Sequence, residues 1–121
     1  MVCVVAVRGI RGAVAAEANT AEAILSATRE LLQQMIAGNN VKITDIAAIH
    51  FSATPDLNAA FPARAARQLG WEAVPLFGHL EMEVPGALPR CIRVLMLVNT
   101  ALPQDQIRHI YLGETRRLRE D

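Results

Sequence analysis

The stretch Arg90-Cys91-Ile92-Arg93-Val94-Leu95-Met96-Leu97-Val98-Asn99-Thr100 decides the fold. Branched and long apolar residues, with no Gly or Pro among them, give it the composition of a β-strand. Both alternating sets are apolar: Cys91, Leu95 and Leu97 on one side, Ile92, Val94, Met96 and Val98 on the other. A strand apolar on both faces is expected to be covered on both. Arg93 falls inside it, on the Cys91 and Leu95 face. A guanidinium does not deprotonate in a protein, and leaving one buried and unpaired costs several kcal/mol. Something anionic must therefore meet Arg93, either a carboxylate of the chain or a ligand.

The segments around this strand alternate between strand and helix patterns. Residues 2–7 form a near-continuous β-branched run, read as a buried strand that leads into Arg8-Gly9-Ile10-Arg11-Gly12-Ala13. Two glycines around two arginines suggest a bulge or bend where the backbone passes close to something. By alternation Arg8 and Arg11 point to opposite faces, one structural or solvated and the other looking into a site. Asn19-Thr20 offers caps for a helix over residues 21–37, with Ile24, Leu25, Thr28, Leu31, Leu32, Met35 and Ile36 as its apolar stripe. Gly38-Asn39-Asn40 ends it, and Thr44-Asp45 caps a single turn.

Residues 48–53 read as a second strand, with His50 as a satisfied structural histidine, and Thr54-Pro55-Asp56 as a turn. Phe61-Pro62 opens a short helix over residues 63–69, with Arg64 and Arg67 on one of its faces. That spacing suits a solvated basic face as well as a binding one. Gly70-Trp71 breaks the helix, residues 73–76 read as a short strand, and residues 77–88 as the least regular part, carrying Glu81 and Glu83. Pro103-Gln104-Asp105-Gln106 is a turn, residues 107–112 a last strand with Tyr111, and Arg116-Arg117-Leu118-Arg119 a basic tail.

At 121 residues the chain reads as one domain, able to bury roughly two thirds of its unfolded surface. Apolar residues make up 52% but aromatics only 4%, so the core must be built from Ala, Val, Leu and Ile. Zero net charge argues against nucleic acid and against anionic membrane as partners. Lys42 is the only lysine among 12 basic residues. Either a G+C-rich genome or bidentate carboxylate recognition accounts for that bias. Cys3 and Cys91 each lie in an apolar run and read as buried thiols of a reducing compartment. With neither a signal-like N-terminus nor a transmembrane stretch, a cytoplasmic protein is expected.

Two short helices cannot cover both faces of about five strands. An α+β fold is expected, a mixed sheet with helices on one face. The other apolar surface then calls for a partner subunit, hence a homo-oligomer.

The chemistry that is missing narrows the function. His50, His79 and His109 have no metal-ligand spacing with Cys or acid. The chain has no nucleophile elbow, phosphate loop or dinucleotide fingerprint, and no obvious nucleophile beside a base. Several arginines, an acid in an irregular loop and one late tyrosine suit holding a small polyanion and stabilising charge.

Several blocks together carry a resemblance. They are Arg8-Gly9-Ile10-Arg11-Gly12-Ala13, Ser52-Ala53-Thr54-Pro55-Asp56-Leu57, Phe61-Pro62-Ala63, Cys91-Ile92-Arg93-Val94, and Pro103-Gln104-Asp105-Gln106-Ile107-Arg108-His109 with Tyr111-Leu112. In order and spacing, over nearly the whole chain, they resemble the monofunctional chorismate mutases of the AroH class. The resemblance implies a homotrimeric pseudo-α/β-barrel with active sites in clefts between subunits. It implies the cofactor-free and metal-free [3,3]-sigmatropic rearrangement of chorismate to prephenate, on the route to phenylalanine and tyrosine.

Arg93 matches the arginine set against the ether oxygen, Arg11 and Tyr111 the groups that hold substrate carboxylate, and Glu81 the acid on the ring hydroxyl, which sits near that arginine. Phe77, Gly78, His79 and Leu80 lie in the segment that lines the pocket. Phe61, Ala63, Arg64 and Arg67 match the contribution of a neighbouring subunit, and Leu118 and Arg119 a closing C-terminal segment. Three departures stand out: Gly78 where a small Cys or Ser is typical, Arg64 where lysine also occurs, and a tail that stops soon after Arg119. The alternative is a non-catalytic trimeric module that binds a small dicarboxylate. It would need the carboxylate clamps but neither Arg93 nor Glu81. A deaminase-like trimer is disfavoured by the tyrosine and the first arginine block.

Overall fold

In the computed structural model, residues 5–119 are described, the side chain of Arg119 excepted. Cys3, and residues 2–4 of the expected first strand, lie outside the described residues.

A five-stranded sheet is built around β4 (Cys91–Thr100). The other strands are β1 (Ala6–Ala15), β2 (Ile46–Ala53), β3 (Leu76–Leu80) and β5 (Ile110–Tyr111), in the spatial order β3-β2-β4-β1-β5. β4 runs antiparallel to both β1 and β2, while β3 lies parallel to β2 and β5 parallel to β1. The sheet is mixed, and with α1 (Ala21–Ala37) and α2 (Arg64–Gln68) the class is α+β.

Alternation along β4 separates two environments. Ile92, Val94, Met96 and Val98 are buried and join Ile10, Ile49 and Phe51 of the flanking strands. Against them pack Ile24, Leu31, Leu32 and Met35 of α1 and Ala65 and Ala66 of α2. On the opposite face Leu95 is 38% exposed and Val7 54%, so the described residues do not supply the expected double coverage of β4. Both α-helices lie on the first face. Among the described residues the second is covered only at one end, where the 3-10 segment Gly113–Arg119 folds back and the Thr115 hydroxyl donates to the Ala13 carbonyl at 3.0 Å.

α1 starts and stops where its sequence requires. The Thr20 hydroxyl accepts from the Ala23 amide at 3.1 Å, one of the helix's orphan donors. Thr28 is tolerated in the apolar stripe because its hydroxyl donates back to the Ile24 carbonyl at 2.7 Å.

β1 corrects the expected bulge. It pairs with β4 without a register shift from Ala6 opposite Thr100 to Ala15 opposite Cys91. The shift found lies instead in β2, between Ile46 and Ala48. Close approach, the other part of that reading, holds at Gly12. A Cβ there would lie 2.6 Å from Met35 Sδ and 3.0 Å from Leu31 Cδ1, so the glycine lets α1 seat on β1.

Two strand boundaries also differ from expectation. Residues 73–75 are not strand: the Val74 amide donates to the Trp71 carbonyl in a turn, and Pro75 precedes the first paired residue. Phe77 to Leu80, expected to be irregular, are therefore β3. The last strand covers only Ile110–Tyr111 of the expected 107–112, because β1 offers it pairing only at Gly12 and Ala13.

Gly12→Ala is expected to destabilise the fold by about 1–3 kcal/mol through overpacking. It would be read as a lower urea midpoint at unchanged slope. Gly9→Ala on the same strand is the control, since its Cβ would meet Leu95 Cδ1 at an ordinary 3.4 Å.

Candidate active site

Residues opposite one another in a sheet project to the same side. Arg93 pairs with Ser52 of β2 and Ala13 of β1; Ser52 pairs in turn with His79 of β3, and Ala13 with Tyr111 of β5. Tyr111, Ala13, Arg93, Ser52 and His79 thus form one row across the open face. Arg11, Leu95, His50 and Phe77 form the next. Strand spacing sets Tyr111 and Arg93 roughly 10 Å apart, with Arg11 diagonal to Arg93. Arg8 points the other way, and its Nε donates to the Leu102 carbonyl at 3.1 Å. Of the two arginines in the first block, Arg8 is structural and Arg11 looks out from the open face.

Arg93 is not buried as its strand composition suggested: its side chain is 51% exposed. The anion that meets it is a carboxylate of the chain. Glu81 Oε2 lies 3.4 Å from Arg93 Nε, longer than a tight charge-assisted bond. The same oxygen accepts from the Ser52 hydroxyl at 3.2 Å, and Oε1 accepts from the Met82 amide at 3.0 Å. Strand β3 carries Glu81 to this place, since its amide still donates to the Ala53 carbonyl just past the last paired residue.

The other expected residues divide between two grooves of about 800 and 820 Å³, a size that suits small ligands. Arg93, Glu81 and Leu118 line the first, with Thr54, Cys91 and Arg117. Phe61, Ala63, Arg64, Arg67, Gly78, His79 and Leu80 line the second, along the β3 edge. Phe61 is 81% exposed there. Phe77 lines neither groove; on the open face its ring stands edge-on to His79 at 4.6 Å and to His50 at 6.1 Å. Arg11 and Tyr111 also line neither groove and share only the face of Arg93. The backbone of Arg119 closes the last 3-10 segment, and its side chain lies outside the description.

The structure brings together two histidines far apart in sequence. His50 Nδ1 and His79 Nε2 are 3.1 Å apart with stacked rings, so His50 is satisfied by another histidine. The third, His109, accepts the Arg11 amide on Nδ1 at 2.9 Å. Among the described residues no group of three or more His, Cys, Asp or Glu is placed to hold a metal ion, and no helix is long and apolar enough to cross a membrane.

A polar clasp holds the start of β4. The Cys91 amide donates to the Thr54 hydroxyl at 2.9 Å, and that hydroxyl donates to Asp56. Asp56 also accepts the Arg90 amide at 2.9 Å. Arg90 has φ 49°, a left-handed conformation costly for a residue with a Cβ. Its Nε donates to the Ala16 carbonyl and its own carbonyl accepts the Ala16 amide, which fixes the kink. The Thr54 hydroxyl, aided by the Arg90 amide and opposed by burial, holds the Asp56 carboxyl below its ordinary pKa. Burial pushes the Cys91 thiol up.

Ser52 and Arg117 escape a reading by sequence pattern. Ser52 is an ordinary strand serine until the register sets it beside Arg93. Arg117 belongs to a run of basic residues that only the fold of the 3-10 segment directs into the groove.

Residues 7–121 match the family model for chorismate mutase type I. The chain is 55% identical over 116 residues to the chorismate mutase AroH of Thermus thermophilus, covering 95% of each chain. To the chorismate mutase AroH of Bacillus subtilis it is 51% identical over 116 residues, covering 95% of this chain and 91% of that one. The solved structure of a chorismate mutase from Clostridium thermocellum superposes with a TM-score of 0.89 at 44% identity, over 90% of this chain and 97% of that chain.

Asp56 ties stability to acid. A carboxyl whose folded pKa lies below its ordinary value of 3.8 stabilises the fold above that value, and the stability is lost as pH falls through the lower folded value. Asp56→Asn is expected to lower the unfolding midpoint at neutral pH. It should also make the loss of stability through the acid range, from neutral pH to below the ordinary carboxylate value, shallower than in wild type. Thermal melts across that range check both.

Proposed function

We infer the activity from one premise: this chain belongs to the chorismate mutase type I family. It is an isomerase of aromatic amino acid biosynthesis that rearranges chorismate to prephenate. We propose the following site and mechanism for it.

The observation that carries the mechanism is a half-exposed guanidinium on the open sheet face. Arg93 is paired only loosely to Glu81, and Arg11 and Tyr111 share its face. The reaction is intramolecular, so no residue need form a bond to substrate. The chain has to select the compact reactive conformer and favour the charge of its transition state. Arg11 and Tyr111 hold a substrate carboxylate. Arg93 faces the ether oxygen, which gains negative charge as the C–O bond breaks. A fixed cation there favours the transition state over the ground state. Glu81 accepts the ring hydroxyl.

The two grooves suit a site shared between subunits. The open face exposes Leu95, Val7 and Phe77, an apolar surface fit for covering by another copy. In a homotrimer, the β3-edge groove of one subunit, with Phe61, Ala63, Arg64, Arg67, Gly78, His79 and Leu80, adjoins the open face of the next. The arginines then stand at the mouth, and Leu118 and Arg119 close over the ligand. The three sheets make a pseudo-α/β-barrel.

Loss of chorismate ultraviolet absorbance tests the mechanism. Arg93→Ala, still trimeric by light scattering, is expected to lose at least ~3–4 kcal/mol of transition-state stabilisation, roughly 10²–10³ in rate. A near-wild-type rate would remove Arg93 from the mechanism. An equal mixture of Arg93→Ala and Arg67→Ala chains, refolded together, should regain activity with about a quarter of its sites intact. No recovery would place the whole site within one subunit.

A further inference from the structure

We propose that Ser52 is a positioning residue for the rearrangement: its hydroxyl holds the Glu81 carboxylate off Arg93 and so leaves the guanidinium charge available to substrate. The inference rests on the roles of Arg93 and Glu81 proposed above and extends them to a residue that touches neither reacting bond.

Three donors surround the Glu81 carboxylate. Oε1 is taken by the Met82 amide at 3.0 Å, which belongs to the backbone and cannot follow a side-chain rotation. Oε2 stands between the Ser52 hydroxyl at 3.2 Å and Arg93 Nε at 3.4 Å. An unrestrained carboxylate beside a guanidinium closes to about 2.7–2.9 Å, commonly with two parallel bonds. The pair here is wider than that, with Nε 3.4 Å from Oε2. Ser52 lies directly opposite Arg93 in the β2–β4 register, so its hydroxyl approaches the carboxylate from the strand next to the arginine. It draws Oε2 toward β2 while the Met82 amide anchors the other oxygen.

The separation has a chemical consequence. A carboxylate closed onto Arg93 would neutralise the charge meant for the ether oxygen and occupy the donors that must reach it. Held at its present distance, Glu81 leaves the terminal nitrogens of Arg93 uncommitted to it and keeps its own lone pairs for the ring hydroxyl. The same hydroxyl therefore orients the acid and preserves the cation.

Ser52→Ala removes one oxygen from a half-buried position and is compared with wild type for kcat, KM, melting temperature and oligomeric state. Losing a hydrogen bond to a charged group should cost roughly tenfold in activity, falling on kcat more than on KM because the loss is felt in the transition state. Ser52→Thr, which keeps the hydroxyl, should restore most of it. The deciding comparison is the double variant. Because Ser52 acts through Glu81, Ser52→Ala should add nothing in a Glu81→Ala background.

Wild-type kcat in Ser52→Ala, or a further full loss in the double variant, would overturn the inference. If Ser52→Ala fails to fold, Ser52→Cys carries the same comparison. Arg93→Ala measured alongside separates the two failures. An active Arg93→Ala enzyme sinks the underlying mechanism; an inactive one beside an unaffected Ser52→Ala sinks only the role of Ser52.

Discussion

Much of the structure depends on the alternation of β4 between two antiparallel neighbours. Register to β1 over its whole length, and to β2 over most of it, commits Ile92, Val94, Met96 and Val98 to the helices. The same commitment turns Cys91, Arg93, Leu95 and Leu97 the other way. A one-residue slip would drive Arg93 into the apolar core and expose Ile92. The register that makes the core therefore also presents the cation, and the row from Tyr111 to His79 follows from it without further cost. Packing and function are set by one choice of pairing.

That choice leaves an uncovered face, which bears on both stability and electrostatics. Exposed Leu95, Val7 and Phe77 gain nothing in an isolated chain, whereas a neighbouring subunit would remove them from water at roughly 25 cal/mol per Å². The same covering would lower the dielectric around Arg93. A charge withdrawn from water is costly unless paired, and Glu81 is already in place. With solvent excluded, each remaining electrostatic contact to a ligand strengthens. On the proposed trimeric reading, assembly and catalysis share one surface, and a substrate anion completes what Glu81 leaves half-satisfied.

Sequence pattern showed some of this and could not show the rest. The 3.6-residue stripe of α1 and its Thr20 cap were readable because they are local. The composition of β4 was equally plain, and the need for an anion beside Arg93 followed from its charge. The anion's identity came only with the family resemblance, which set Glu81 near that arginine; local pattern could not supply it, because Glu81 is brought there by β3, whose start at Leu76 depends on pairing rather than on local propensity. The half-exposure of Arg93 was hidden for a related reason. An apolar odd face reads alike whether helices or another subunit cover it. The two glycines of β1 looked like a bulge because Gly12 weakens a strand locally, yet its purpose lies in α1, with Met35 overhead. Ser52 stood in a block that carried the family resemblance, but nothing there pointed to a place beside Arg93. Its meaning is its register, and register is not a property of one strand.

Gly78 shows how far the geometry constrains the departures from the family pattern. It has no positive φ, and a Cβ built there meets nothing within 4 Å. Neither backbone conformation nor packing demands glycine, in contrast to Gly12. The small Cys or Ser typical of the resemblance could be accommodated without strain, so its absence is free to affect whatever occupies the β3-edge groove. What remains at Gly78 is backbone, on the edge strand β3, which pairs on one side only, with β2. Main-chain donors on that free edge are fixed by the sheet and lose no side-chain entropy on meeting a ligand. A site that relies on them exchanges an adjustable side-chain contact for a preorganised one. That fits a reaction in which the protein's task is to hold a conformer and place charge.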